Sequence, residues 1–387
     1  MRLKPRRLFN VVLIGVMPLV LSGCGVKAGH LSSSSHTTLA ATHNDSLKIA
    51  PEAASTLGIP RAYDFISQEQ GWAIAGGLPG AVGYIAYSNN GGRSWLEYGF
   101  PGVTFVVINT STSLELKAVG SRNNSLVVVS TVNGGGTWQI TVDPNPPIHV
   151  PYLKKAIPFN NGWLILGSSG KLWQFGRNGW TNIPTPQNVP VKKVTVHNSK
   201  IYAILSTNRF VSTSDAARTW RLVLNTHNSQ MIVSETTQGA KEWVLEQKVE
   251  GNKTTNTLLL SVNRGSTFSQ IYATSLPSAL SWNQIKMVSS SDGWAFGGSC
   301  DSVVGDCAKT LYRTSDGGKS WQPVTLPSVS YRYPSPNVRP AQLTGFRPAG
   351  FFAPAGAMLS IGYLPPELST PVLFYTPDQG HHWQQIS

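Results

Sequence analysis

The sequence predicts an all-β chain folded as a seven-bladed β-propeller, each blade a four-stranded antiparallel sheet. Three observations carry this expectation. A polar turn ending in an aromatic residue recurs along the chain, a second strand-like mark recurs upstream of each copy, and the composition favours many short strands joined by turns. Of 387 residues, 41% are hydrophobic and only 13% are charged, while Gly 37, Pro 26 and Trp 12 are high. That supply of apolar residues is ample for a core and excludes disorder throughout. Apart from the N-terminus, no stretch carries helical periodicity over three turns.

The first element, residues 1–23, reads as a targeting segment. MRLKPRR is a basic start, LFNVVLIGVMPLVL is an apolar run too short for a membrane span, and small residues follow. Leu21-Ser22-Gly23-Cys24 resembles the bacterial lipobox, which implies cleavage before Cys24 and a lipid on its thiol. The expected location is the outer side of a bacterial cytoplasmic membrane. The formal charge of +13 loses Arg2, Lys4, Arg6 and Arg7 with the signal and becomes +9. Residues 24–58 are rich in Ser, Thr and Ala and poor in large apolar side chains, so they read as a flexible tether. His30, His36 and His43 fall in it, without the fixed geometry a metal site needs. With Cys24 modified, Cys300 and Cys307 remain on either side of a turn-rich hexapeptide. In an exported chain they are expected to form a local disulfide.

Residues 59–387 carry the repeats. Aligned on their last residue, AYSNNGGRSW ends at Trp95, VSTVNGGGTW at Trp138, VSTSDAARTW at Trp220, LLSVNRGSTF at Phe268, LYRTSDGGKSW at Trp321 and LFYTPDQGHHW at Trp383. A reduced seventh copy, LWQFGRNGW, ends at Trp180. The mean spacing of 48 residues leaves room for four short strands and their turns, the size of one blade. The turns resemble the Asp-box, or BNR repeat, of pattern S/T-x-D-x-G-x-T/S-W. The resemblance assigns structural roles to Asn90, Asn133, Asp215, Asn263, Asp316 and Asp378. Each is expected to accept backbone N–H groups across its turn while Gly takes the angles other residues resist. The aromatic ring is expected to fold over the hairpin and lock the turn to its own sheet, so Trp321→Ala should cost about 3 to 5 kcal/mol.

Upstream of the boxes, GWAIAGG at Trp72, LKAVG at Leu116, GWLILG at Trp163, KIYAIL at Ile201, KEWVLE at Trp243, GWAFGG at Trp294 and AMLSIG near Met358 read as the second strands of seven blades. Runs such as AYDFIS, TFVVIN and QIKMVS precede them as first strands. Neither chain end clearly completes the other's sheet, and residues 46–51 are expected to pack near the join.

Gly-Trp strands, Asp-box-like hairpins, seven blades and an export signal together resemble the photosystem II stability and assembly factor propellers and their bacterial relatives. That resemblance implies a non-catalytic propeller that binds protein, with no cofactor and no metal, and does not by itself imply a photosynthetic role. The alternative is a carbohydrate-active propeller. Sialidases share the Asp-box but have six blades and an arginine triad that this sequence lacks; IPRAY, residues 59–63, only loosely echoes their Phe-Arg-Ile-Pro element. Xyloglucan hydrolases use two propellers and a pair of carboxylates, for which Asp64 and Glu235 are the candidates among only 18 acidic residues.

Counting eight residues back from the second-strand mark puts Lys155, Lys193 and Lys286 at one repeat position, with Asp64 and Glu235 at the same position in two other blades. First strands line a propeller's axis, so these lysines are expected to form a partial basic ring that attracts an anionic partner. Tyr331, Arg332 and Tyr333 lie in the Pro-rich stretch SVSYRYPSPNVRP, residues 328–340, and offer a second candidate contact surface. A pI near 9.7 suits nucleic acid in general, but a lipid-held exported chain rarely meets it, so protein is the expected partner and the chain is expected to be monomeric.

Overall fold

The computed structural model describes residues 45–54, 60–76, 81–148, 150, 153–160, 162–176, 178–197, 199–215, 218–226, 230–298, 309–327, 329–331, 341–343, 346–352, 356–361 and 373–386. They form seven consecutive antiparallel sheets, each with four strands drawn from one unbroken stretch of chain. The innermost strands are Pro60–Phe65, Thr104–Thr110, Lys155–Phe159, Val191–His197, Gln230–Gln238, Trp282–Met287 and Phe346–Phe352. Every second-strand mark read from the sequence lies in the second strand of its blade, from Gly71–Gly76 in blade 1 to Gly356–Ile361 in blade 7. The seven-bladed architecture is therefore as the repeats predicted.

Six box hairpins share one hydrogen-bonding scheme. In blade 2 the Thr131 hydroxyl donates to Asn133 Oδ1 at 3.0 Å and accepts the Gly135 N–H at 2.9 Å, while Asn133 Oδ1 also accepts the Thr137 N–H at 2.9 Å. Ser88 with Asn90, Thr213 with Asp215, Ser261 with Asn263, Thr314 with Asp316 and Thr376 with Asp378 repeat the hydroxyl contact. Asn and Asp interchange because the following hydroxyl adapts: it accepts from Asn133 Nδ2 at Thr137 and donates to Asp316 Oδ2 at Ser320. These hydrogen bonds outweigh partial desolvation and hold the Asp316 carboxyl down at about 2. The second turn residue then docks on the hairpin between first and second strands, as Gly134 N–H does on Leu114 O at 2.9 Å.

Gly135 shows what the turn demands. Its φ is +89°, and a Cβ there would lie 2.4 Å from Tyr98 Cζ of the neighbouring blade. Gly135→Ala is expected to lower stability by about 1 to 3 kcal/mol, measurable by chemical denaturation.

The box aromatics hold their own turns and sheets, as the sequence suggested: Trp321 Nε1 donates to Gly318 O of its own turn at 3.1 Å, and Trp95 and Trp180 meet Phe65 and Phe175 of their own blades at 6.0 and 4.8 Å. Each box aromatic also bridges to the neighbouring sheet, lying in the seam with the preceding blade. Trp138 clusters with Trp72, Tyr98 and Phe100 of blade 1, and Trp321 with Trp243, Leu245 and Leu258 of blade 5. Trp95 meets Ala349, Leu373 and Tyr375 of blade 7. Trp180, Trp220, Phe268 and Trp383 repeat the arrangement. The reason is geometric: a residue at the start of the outer strand projects out of its sheet's face, and the neighbouring blade covers that face. Trp95, Trp138 and Trp321 are buried, whereas Trp220, Phe268 and Trp383 are half-buried. Trp220 and Trp383 direct their indole N–H to carbonyls of the stretch after the preceding blade, Pro184 O and Thr325 O, each at 2.8 Å.

Residues 46–51 do not sit at the join. Asp45–Leu47 adds antiparallel to the outer strand of blade 2, Trp138–Asp143, and Glu52–Ala54 adds to that of blade 1, Trp95–Pro101. These residues fall within the stretch expected to be a flexible tether. Leu47 and Ile49 alternate inward and pack on the cluster between blades 1 and 2, while Lys48 and Ala50 face out. The strap thus covers two exposed sheet edges and crosses one seam. Blades 7 and 1 meet without exchanging a strand. Their joint is an apolar cluster in which four of eight buried residues are alanines, together with a hydrogen bond from the Tyr375 hydroxyl to Gln68 Oε1 at 2.8 Å.

Candidate functional site

Inner strands line the axis, and most carry a β-bulge. Register shifts fall at Val191/Lys193, Ile232/Ser234 and Trp282/Gln284 among others. A bulged residue is left out of the ladder, which frees its carbonyl. The Lys193 ammonium uses two such carbonyls, donating to Val233 O of blade 5 and to Asn283 O of blade 6 at 3.5 Å.

The lysines are not at one level of the barrel axis, contrary to the count from sequence. Lys286 pairs with Trp294 and Asp64 with Trp72, but Lys155 pairs with Leu166, Lys193 with Ile204 and Glu235 with Val244. The turn between first and second strands spans residues 66–70 and 288–292 in blades 1 and 6, but only 160–161, 198–199 and 239–240 in blades 3, 4 and 5. A fixed offset therefore cannot find equivalent rungs. The charges nevertheless converge: Lys155, Lys193 and Lys286 all favour the ionised form of Glu235, which also takes a hydrogen bond from the Thr195 side chain. Burial is the larger effect and raises the Glu235 pKa.

Asp64 behaves alike. Burial raises its pKa against the Thr110 hydrogen bonds and the Lys286 charge, and its Oδ2 accepts the Thr110 N–H at 2.7 Å. Each acid thus ties its own inner strand to a neighbour, blade 1 to blade 2 and blade 5 to blade 4. Blades 5 and 6 are stitched by neutral groups: Ser234 Oγ accepts the Ile285 N–H at 3.2 Å, and Gln238 Nε2 donates to Met287 O at 2.8 Å.

A third carboxylate escaped sequence reasoning. Glu242 is 1% exposed, and neither carboxylate oxygen has a hydrogen-bond partner among the described residues. Burial pushes it up to about 7, Lys200 lowers it and Glu235 raises it further. The available signal was local: blades 1, 3 and 6 place Gly before the second-strand Trp, and blade 5 places Glu there.

Cys24, Cys300, Cys307, Arg332 and Tyr333 lie outside the described residues. Tyr331 ends the strand Val329–Tyr331, which pairs with Ala341–Leu343 in a two-stranded extension between blades 6 and 7. Among the described residues no group of three or more His, Cys, Asp or Glu is arranged to hold a metal, and no helix is long and apolar enough to cross a membrane.

Fold and axis together define a seven-bladed propeller whose inner strands are tied by polar side chains across the seams. No family model matches the chain, and no curated protein matches it. Among solved structures, YCF48 bound to D1 peptide is similar at 16% identity and a TM-score of 0.52, over 88% of this chain and 99% of that chain. YCF48 from Cyanidioschyzon merolae is similar at 18% identity and a TM-score of 0.48, over 80% and 95%. The GH74 enzyme of Niastella koreensis follows at 12% identity and a TM-score of 0.40, over 84% and 65%. At such identities the likeness is one of fold.

Proposed function

We propose that this chain is a non-catalytic propeller, held through a lipid on Cys24 at the outer side of a bacterial cytoplasmic membrane, where it binds protein and acts as an assembly scaffold. The observation that carries the reading is the use made of the two axial acids. A glycosidase needs one carboxyl free to give a proton and another free to attack or activate water. Asp64 and Glu235 instead accept hydrogen bonds that join neighbouring strands. The resemblance of the Gly-Trp strands to photosystem II assembly factor propellers supports the same reading, as does the fold shared with YCF48, which has been solved with a peptide bound. Lys155, Lys193 and Lys286 are the proposed docking charges, and Tyr331, Arg332 and Tyr333 a second contact. A Cys300–Cys307 disulfide would close the loop of blade 6.

Affinity capture from detergent-solubilised membranes tests this directly. Wild type should retain a defined protein, and the variant with Lys155, Lys193 and Lys286 all changed to Glu should retain at least tenfold less. A glycan-hydrolysis screen run alongside should be negative; hydrolysis abolished by Asp64→Asn or Glu235→Gln would overturn the scaffold reading. Cys24→Ser should release the protein from the membrane fraction.

A further inference from the structure

Where the inner strands of blades 5, 6, 7 and 1 run out into their turns, a cavity of about 590 Å³ opens at the mouth of the axis. Its size falls within the range of about 300 to 1,000 Å³ usual for ligand sites. Phe351, Phe352 and Val288 give it an apolar wall, and all three are only half-buried. Phe351 is held in place from behind, stacked on Trp294 at 5.5 Å and 24° and touching Phe296 at 5.6 Å. Lys286 is the single charged residue of the lining; it is exposed, and its ammonium makes no hydrogen bond among the described residues. Two amides complete the rim. Gln68 uses its oxygen on the Tyr375 hydroxyl, which leaves its nitrogen as a donor, and Gln238 uses its nitrogen on Met287 O, which leaves its oxygen as an acceptor.

We propose that this mouth cavity binds an extended peptide segment in which an aromatic or branched aliphatic side chain stands beside an acidic one. The inference rests on the protein-binding reading above and names what that site selects. The phenyl rings take the apolar side chain in a pocket that is already ordered, which spares the cost of arranging it on binding. Lys286 takes the carboxylate, and the positive field of Lys155 and Lys193 further along the axis adds to its attraction. The free amide nitrogen and oxygen match the C=O and N–H of one peptide unit. A neutral carbohydrate can stack a C–H face on the phenyl pair but brings no carboxylate to Lys286, and a free aromatic acid would leave both amides unmatched.

Fluorescence anisotropy on the full chain tests this with three labelled probes: Gly-Asp-Phe-Asp-Gly, Gly-Asp-Ala-Asp-Gly and Gly-Lys-Phe-Lys-Gly, each acetylated and amidated. The first should bind saturably and the other two at least tenfold more weakly. Lys286→Glu should weaken the first at least tenfold with an unchanged melting temperature, as expected for an exposed side chain, and rising salt should act in the same direction. Equal binding of all three probes, no saturable binding, or indifference to Lys286→Glu would overturn the proposal. Capture of a membrane protein that survives Lys286→Glu would overturn the mouth as its docking point and leave the scaffold reading intact. Peptide binding without any captured protein would support the site and count against the scaffold.

Discussion

Replacing Trp138 by alanine is expected to remove about 3 to 5 kcal/mol of unfolding free energy. The indole is fully buried and meets three rings of the preceding blade: Tyr98 at 5.0 Å, Phe100 at 5.3 Å and Trp72 at 6.2 Å, all near edge-to-face. Its loss leaves a cavity in the seam between blades 1 and 2, beside Tyr98, which also donates its hydroxyl to Gly134 O at 3.1 Å. Trp220→Ala should cost less, because that ring is half-buried and meets its seam from the rim. Urea denaturation of both variants separates the cases. Equal losses would mean that the rings serve their own hairpins and not the seams.

Replacing Glu242 by glutamine is expected to stabilise the protein at pH 8 by about 2 to 3 kcal/mol and to change little at pH 4. The carboxyl lies in the seam between blades 4 and 5, covered by the Gly265 turn, where a Cβ would stand 2.6 Å from Oε2. From blade 4 it faces Lys200, whose ammonium sits 4.7 Å from the Tyr202 ring centre, and Tyr202 itself, pushed up to about 12 by its own burial and then by Glu242 and Glu235. Arg221 acts on Lys200, and Arg264 of the blade 5 turn acts on Tyr202. A carboxyl at about 7 in the folded chain against 4.5 ordinarily favours folding through its proton. That contribution is complete below about pH 4.5 and is lost as the pH rises through about 7. The amide needs no proton, so melting curves of the two proteins should converge in acid and separate in base. A constant offset across pH would show that the carboxyl is not the titrating group.

Blade number and strand content were legible because each blade repeats two local signals, a turn ending in an aromatic and an apolar second strand, and local signals survive without knowledge of neighbours. Which neighbouring sheet the aromatics also touch was not legible. Trp138 and Tyr98 are 40 positions apart, and no periodicity states which face of a sheet the next blade covers. The axial lysines were found as residues but misplaced as a ring, since the inner turns of blades 3, 4 and 5 are three residues shorter than those of blades 1 and 6. The strap was missed for a compositional reason: its paired residues, Asp45–Leu47 and Glu52–Ala54, are short and partly charged, and they form strands only because finished edges are there to receive them. The mouth cavity was invisible because Gln68, Gln238 and Phe352 come from three separate blades.

The placement of the strap also decides where mechanical tension would travel. If the proposed anchor at Cys24 holds, a pull that reaches Asp45 is resisted by the rims of blades 2 and 1. The meeting of the first and last blades lies outside that route, held by its alanine-rich contact and the Tyr375–Gln68 hydrogen bond.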